Sequence, residues 1–148
     1  MRVYLGTDHA GFELKEKIKS YLSENAYEVE DCGAFSFDKN DDYPDFIAKA
    51  AIGVSKNPNS KGIVFGKSGA GEAIVANKIK GIRAVFGFSK ENVELSRLHN
   101  DANVLSLGSA FVNEGLAKEL VKIFLETPFS NEERHKRRIE KIRKIESK

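Results

Sequence analysis

The residues best suited to chemistry in this chain sit beside glycines. Gly66-Lys67-Ser68-Gly69-Ala70-Gly71-Glu72 packs three glycines into its first six positions and closes on a carboxylate. Glycine lets backbone N–H groups come close to an anion, and a helix opening at the end of such a loop adds positive potential. The run matches neither a Walker A loop nor a dinucleotide fingerprint. Its distinctive feature is Glu72 close to Ser68. Read functionally, the carboxylate is a candidate base beside an anion-binding loop. A glutamate in a first helical turn also has an ordinary purpose, complementing the helix dipole. That dipole lowers the carboxyl pKa, so service as a base requires burial to raise it again.

Gly6-Thr7-Asp8-His9-Ala10-Gly11 is a second such segment. Asp8 and His9 can act as acid and base, or simply as a helix cap and a turn residue. His99-Asn100-Asp101 offers a third set, whose structural reading is a histidine at a helix C-terminus followed by an Asn/Asp turn. Arg134 and Arg138 stand four apart and share a helix face. Two guanidiniums suit a phosphate as well as they suit solvent.

An alternation of β-rich runs and helical patterns must position these groups. Arg2–Gly6 reads as a strand, and Phe12, Leu14, Ile18, Tyr21 and Leu22 give residues 10–24 helical spacing. Tyr27–Gly33 alternates as a second strand, and residues 34–44 form a loop ending in Asp41-Asp42-Tyr43-Pro44. Pro44 suits the first turn of a helix to Ser55. Lys61–Gly66 is a third strand, and the glycine loop leads into a helix to Lys78. Arg83–Phe88 is a fourth strand. Ser89, with Asn92 where a capping-box Glu would sit, opens a helix to Leu98. Ala102–Gly108 is a fifth strand, followed by a helix over 112–126 that Thr127-Pro128 breaks. Ser130, with Glu133 three positions on, predicts a capping box and a basic helix over 130–147.

Five β/α units imply parallel strands joined by right-handed crossovers. The expected fold is α/β: one domain, 1–148, built as a three-layer α/β/α sandwich on a five-stranded parallel, Rossmann- or flavodoxin-like sheet. Ligands of such sheets bind beyond the carboxyl ends of the strands. A flavodoxin-like order makes strands one and three neighbours, so the Asp8 and Glu72 loops would face one crevice.

Composition bounds the function. Hydrophobic residues are 41% and charged residues 31%, which is globular rather than disordered. No apolar run approaches ~18 residues, so a membrane helix is not expected. Met1–Gly6 reads as a strand rather than a leader. Cys32 is the only cysteine, which excludes a disulfide framework or a cysteine-rich zinc site within one chain. A cytoplasmic protein is the simplest expectation. Residues 130–148 hold eight Lys/Arg against four Glu, leaving a +4 tail on a −2 body. That asymmetry suits an anionic ligand. It does not suit nucleic acid, because the basic residues lack interleaved aromatics.

Seven ordered blocks along essentially the whole chain resemble the ribose-5-phosphate isomerase B family of sugar-phosphate isomerases. They are Gly6–Gly11, Asp42-Tyr43-Pro44, Gly66–Glu72, Ala76-Asn77-Lys78, Gly81-Ile82-Arg83-Ala84, Leu95–Val104 and Arg134-His135-x-x-Arg138. The resemblance implies an aldose–ketose isomerase that interconverts ribose 5-phosphate and ribulose 5-phosphate through a cis-enediolate, with no metal and no cofactor. It implies that Glu72 is the carbon base. Ser68 and the N–H groups of residues 67–71, among them Lys67, Gly69, Ala70 and Gly71, would form the oxyanion site. Asp8 and His99 would open the sugar ring. His9, Arg134 and Arg138 would hold the phosphate, and Tyr43 and Asn100 would orient the sugar.

Two departures from the family pattern matter. Many members carry a cysteine base where Gly66 stands here. This chain resembles the subclass with a Ser-Gly-x-Gly-Glu loop that uses the glutamate, and Cys32, at the end of strand two, is not that cysteine. Many members also carry arginine after Leu-Gly-Ser, where Ala110 stands. One phosphate contact is then lost or taken over by Lys67.

His99 and Asn100 enter strand five, whereas Asp8, His9 and Glu72 follow the exits of strands one and three, so the two sets are expected at opposite edges of the sheet. A two-fold dimer brings the opposite edge of a second copy to each site. The expectation is a homodimer, or a tetramer as in some family members, with shared sites and with no nucleic-acid or membrane partner. Isomerases of allose 6-phosphate or galactose 6-phosphate are the nearest alternatives. The latter use two unlike chains that each lack part of this pattern. The alternative of another class is a non-catalytic phosphate-binding module. A receiver domain would want an acidic pair after strand one and an Asp after strand three, where Asp8-His9 and Gly66-Lys67 stand.

Overall fold

The central strands are apolar on both faces, as a parallel sheet covered on both sides requires. In a computed structural model describing residues 1–148, β1 (Arg2–Thr7) and β3 (Lys61–Gly66) are buried at every position after the first. β5 (Val104–Gly108) is buried throughout. β2 (Glu28–Asp31) alternates exposed with half-buried, and β4 (Ala84–Phe86) is half-buried, as suits edge strands. All pairings are parallel, in the order β2-β1-β3-β5-β4.

β1 and β3 are neighbours, with Leu5 opposite Ile63 and Thr7 opposite Phe65, so their exits lie side by side. The last two strands exchange places relative to the flavodoxin-like order. The fully buried β5 takes the inner position, and the three-residue, half-exposed β4 takes the edge. This puts the β5 exit against the glycine loop. Ser109 N–H donates to Gly66 O at 2.8 Å and Ala110 N–H to Lys67 O at 2.9 Å.

Successive side chains of a strand point to opposite faces, and the two cores divide accordingly. Val3, Leu5, Ile63, Phe65, Leu105 and Leu107 pack under α1 (Phe12–Glu24), α4 (Lys90–Asn100) and α5 (Glu114–Glu126). Tyr4, Val64 and Val104 pack under α2 (Tyr43–Lys56) and α3 (Ala70–Asn77). The last helix, α6 (Glu133–Glu146), docks its start on the end of α4. No helix is long and apolar enough to cross a membrane.

Several boundaries differ from expectation. The Ser89/Asn92 capping box forms in full. α4 runs two residues past Leu98 and takes His99 and Asn100 into its last turn. The final helix begins at Glu133 rather than Ser130. Ser130 N–H is tied to Leu98 O at 3.2 Å, and Asn131 is left-handed at φ +63°, so the chain cannot yet be helical there.

Candidate active site

At the β1 exit, Asp8 is buried, and its Oδ1 accepts the N–H groups of Ala10 (2.9 Å) and Gly11 (3.3 Å). One carboxylate oxygen thus builds the turn into α1. Gly11 lets this turn lie against the neighbouring exit, because a Cβ there would stand 2.8 Å from Gly66 N. His9 is held by a residue outside the sequence-derived set: its N–H and its Nδ1 both lie on Asp41 Oδ1, at 3.0 and 2.6 Å. The hydrogen bond to Asp41 is the main cause raising the His9 pKa, against some desolvation and with help from Asp8, Asp41 and Asp38.

In the glycine loop, Gly69 adopts φ +81°, and a Cβ there would meet the Phe86 ring at 2.9 Å. Ser106 Oγ donates to Gly69 O at 2.7 Å and pins the turn. Ser68 is exposed and its Oγ accepts the Ala70 N–H at 3.2 Å, so that one loop donor is already engaged. Lys67 is exposed at the rim. Tyr43, at the start of α2, lies over Gly71, where a Cβ would be 2.8 Å from the phenol oxygen.

Glu72 lies in the first turn of α3, yet it is only 4% exposed. Its Oε2 is buried without a hydrogen-bond partner. Burial is the main cause raising its pKa; its own backbone N–H lowers it and the Asp8 charge raises it further. Burial therefore outweighs the hydrogen bond from that N–H. A Cβ on Gly66 would overlap Glu72 Oε1, so the carboxylate fills the space that a side chain at position 66 would need. Cys32 stands just past the end of β2, with β1 between it and β3. Burial pushes its thiol up to about 11, so it is not ionised near neutrality.

Asp8, His9, Tyr43 and the Gly66–Glu72 loop therefore lie along the carboxyl edge of the sheet, at the adjoining exits of β1 and β3. His99, Asn100, Arg134 and Arg138 do not. α4 leaves the carboxyl edge after β4 and runs back, so its last turn lies at the amino edge. There Asn100 O accepts Arg83 Nε at 2.8 Å, just ahead of β4. The six residues of β3 separate the two edges by roughly 17 Å. At the amino edge the His99 ring stacks on His135, centroids 4.4 Å apart and 19° from parallel. Burial lowers the His135 pKa, with His99 and Arg134 adding to the effect. Arg134 pairs with Glu132 at 3.2 Å, and Arg138, one turn on, is exposed. His135 and Asp41 are the site neighbours that sequence reasoning passed over. Asp41 lies in an aperiodic acidic loop, where nothing in the sequence marks one carboxylate from the next.

Residues 3–142 match the Ribose/Galactose Isomerase family. Ribose-5-phosphate isomerase B of Mycolicibacterium paratuberculosis is 45% identical over 146 residues, which is 99% of this chain and 92% of that protein. The Escherichia coli protein of the same name is 39% identical, covering 99% and 97%. The structure of ribose-5-phosphate isomerase B from Mycoplasma genitalium with bound ribulose-5-phosphate superposes with a TM-score of 0.95 at 38% identity, over 99% of this chain and 97% of that one. A buried carboxylate at a glycine loop thus stands in a chain that belongs, over nearly its whole length, to the ribose/galactose isomerase family.

Proposed function

We propose that this chain is a ribose-5-phosphate isomerase, interconverting D-ribose 5-phosphate and D-ribulose 5-phosphate through a cis-enediolate. The observation that carries the reading is Glu72, a buried carboxylate with a free oxygen and a raised pKa at the mouth of the glycine loop. A raised pKa matches a group that must both take and return a proton near neutrality. Glu72 removes the proton from C2 of the open-chain aldose and returns it to C1. The electron pair left behind forms the C1–C2 double bond, and the charge passes to O1. Ser68 and the loop N–H groups of Lys67, Gly69 and Gly71 hold that oxyanion. Transfer of the hydroxyl proton from O2 to O1 completes the ketose. The subclass is the one that uses glutamate, because Gly66 leaves room for Glu72.

Asp8 and His99 serve ring opening, Tyr43 and Asn100 orient the sugar, and His9, Arg134 and Arg138 hold the phosphate. Lys67, exposed where the Ala110 N–H meets its carbonyl, supplies the cation that Ala110 lacks. The separation of His99 from Glu72 within one chain favours a homodimer whose sites pool both sheet edges. The enzyme is cytoplasmic and works in pentose phosphate metabolism. The test is a coupled assay with ribose 5-phosphate, allose 6-phosphate and galactose 6-phosphate, with a chelator present. Ribose 5-phosphate is the expected substrate. Turnover of only a six-carbon ester, or none, would overturn the assignment.

A further inference from the structure

We propose that Asp41 is a positioning residue for phosphate binding: it grips His9 through both the backbone N–H and Nδ1 and leaves Nε2–H as the ring's donor to the ester. The inference rests on reading His9 as a phosphate ligand and goes beyond it by naming what sets its ring and charge.

One oxygen, Asp41 Oδ1, takes both contacts, at 3.0 Å from the main chain and 2.6 Å from Nδ1. An ionised carboxylate can only accept, so Nδ1 carries a proton. Nε2 is then the remaining ring nitrogen. Unprotonated, it is a lone pair facing an anion. Protonated, it is a charge-assisted donor. Phosphate binding therefore needs the imidazolium. Asp41 favours it strongly, because its side chain is only 9% exposed and His9 is its ion-pair partner. Its second oxygen, Oδ2, is buried without a partner, and a buried carboxylate without a counter-charge is costly.

The acidic neighbours act in the same direction, with Lys17 of α1 and desolvation opposing them. Asp8 precedes His9, Asp38 lies in the loop that carries Asp41, and Glu13, Glu16 and Lys17 of α1 line the adjoining cavity of about 760 Å³. Phe37 meets the His9 ring edge-on at 5.8 Å. The loop bearing Asp41 is also anchored at its start, where Lys15 Nζ donates to Ala34 O at 2.8 Å. A histidine without such a partner titrates near ~6.5 and would be largely neutral where a phosphate ester is a dianion.

NMR titration of the His9 imidazole in the parent protein should give a pKa above the ordinary ~6.5 with Nδ1 protonated. In Asp41→Asn it should fall by about one pH unit. KM for ribose 5-phosphate should rise roughly tenfold in Asp41→Asn at about pH 8. The increase should shrink toward about pH 6, with kcat nearly unchanged. An ordinary His9 pKa in the parent, needing no variant to fold, would overturn the proposal. So would a loss of kcat at every pH without a KM shift. His9→Gln separates the underlying reading: if KM is unmoved there, His9 is not a phosphate ligand, and the proposal falls with that reading rather than through Asp41.

Discussion

Glu72 is held at a cost to stability. Its folded pKa lies above the unfolded value, chiefly through burial, so the folded state disfavours its charge. Stability is then lost as pH rises from the unfolded carboxylate range through the folded pKa. Glu72→Gln removes that penalty together with the proposed base. It should cost about a hundred- to ten-thousandfold in kcat while melting no lower than the parent at about pH 8, as read by calorimetry. A variant that lost stability in step with activity would mean Glu72 is structural. Gly66→Ala tests the same carboxylate from the other side. Its Cβ would overlap Glu72 Oε1, so the carboxylate must move, and activity should fall about as far as in Glu72→Gln. Cys32→Ser should stay within about twofold of parent, because that thiol is protonated near neutrality and β1 lies between β2 and β3. Motif chemistry made Glu72 legible in the sequence. Its raised pKa was not, since the helix terminus alone argues for the opposite sign.

At the scale of elements, α1 and the β2–α2 loop depend on Lys15, which helical spacing alone does not mark as a core residue. It is fully buried, and its Nζ reaches Asp31 Oδ2 and Ala34 O at 2.8 Å and Glu16 Oε2 at 2.9 Å. Burial pushes the Asp31 carboxyl up, but Lys15, the Gly33 N–H and Lys19 together hold it below its usual range. A depressed carboxyl stabilises the fold fully above its unfolded pKa, and the gain is lost as pH falls through the folded pKa. Lys15→Met removes the main partner and should cost about 3–5 kcal/mol in urea unfolding at neutral pH. It should also flatten the loss of stability below about pH 4. Unchanged stability would show that Lys19 alone compensates Asp31. Helix starts were legible where a side chain caps its own helix, as at Ser89. They were not at Ser130, whose backbone is committed to a distant carbonyl, Leu98 O, that no local pattern reveals.

For the whole molecule, the separation between the two groups of site residues carries the clearest expectation. Glu72→Gln and His99→Ala subunits, each inactive alone, should recover about a quarter of parental activity after exchange, since half the dimers are mixed and each mixed dimer holds one intact site. Mixed dimers without recovery would place His99 and Glu72 in unrelated sites. The sequence by itself determined the α/β alternation, the two glycine-bordered exits and Glu72 as the candidate carboxylate between loop and helix. These depend on local periodicity, on turn chemistry and on residues adjacent in the chain. Tertiary structure alone decided that β5 sits inside β4, that Asp41 claims His9, that His135 stacks on His99, and that burial raises the pKa of Glu72. Each of these depends on which distant segments share a boundary and exclude water, and no short stretch of sequence encodes that.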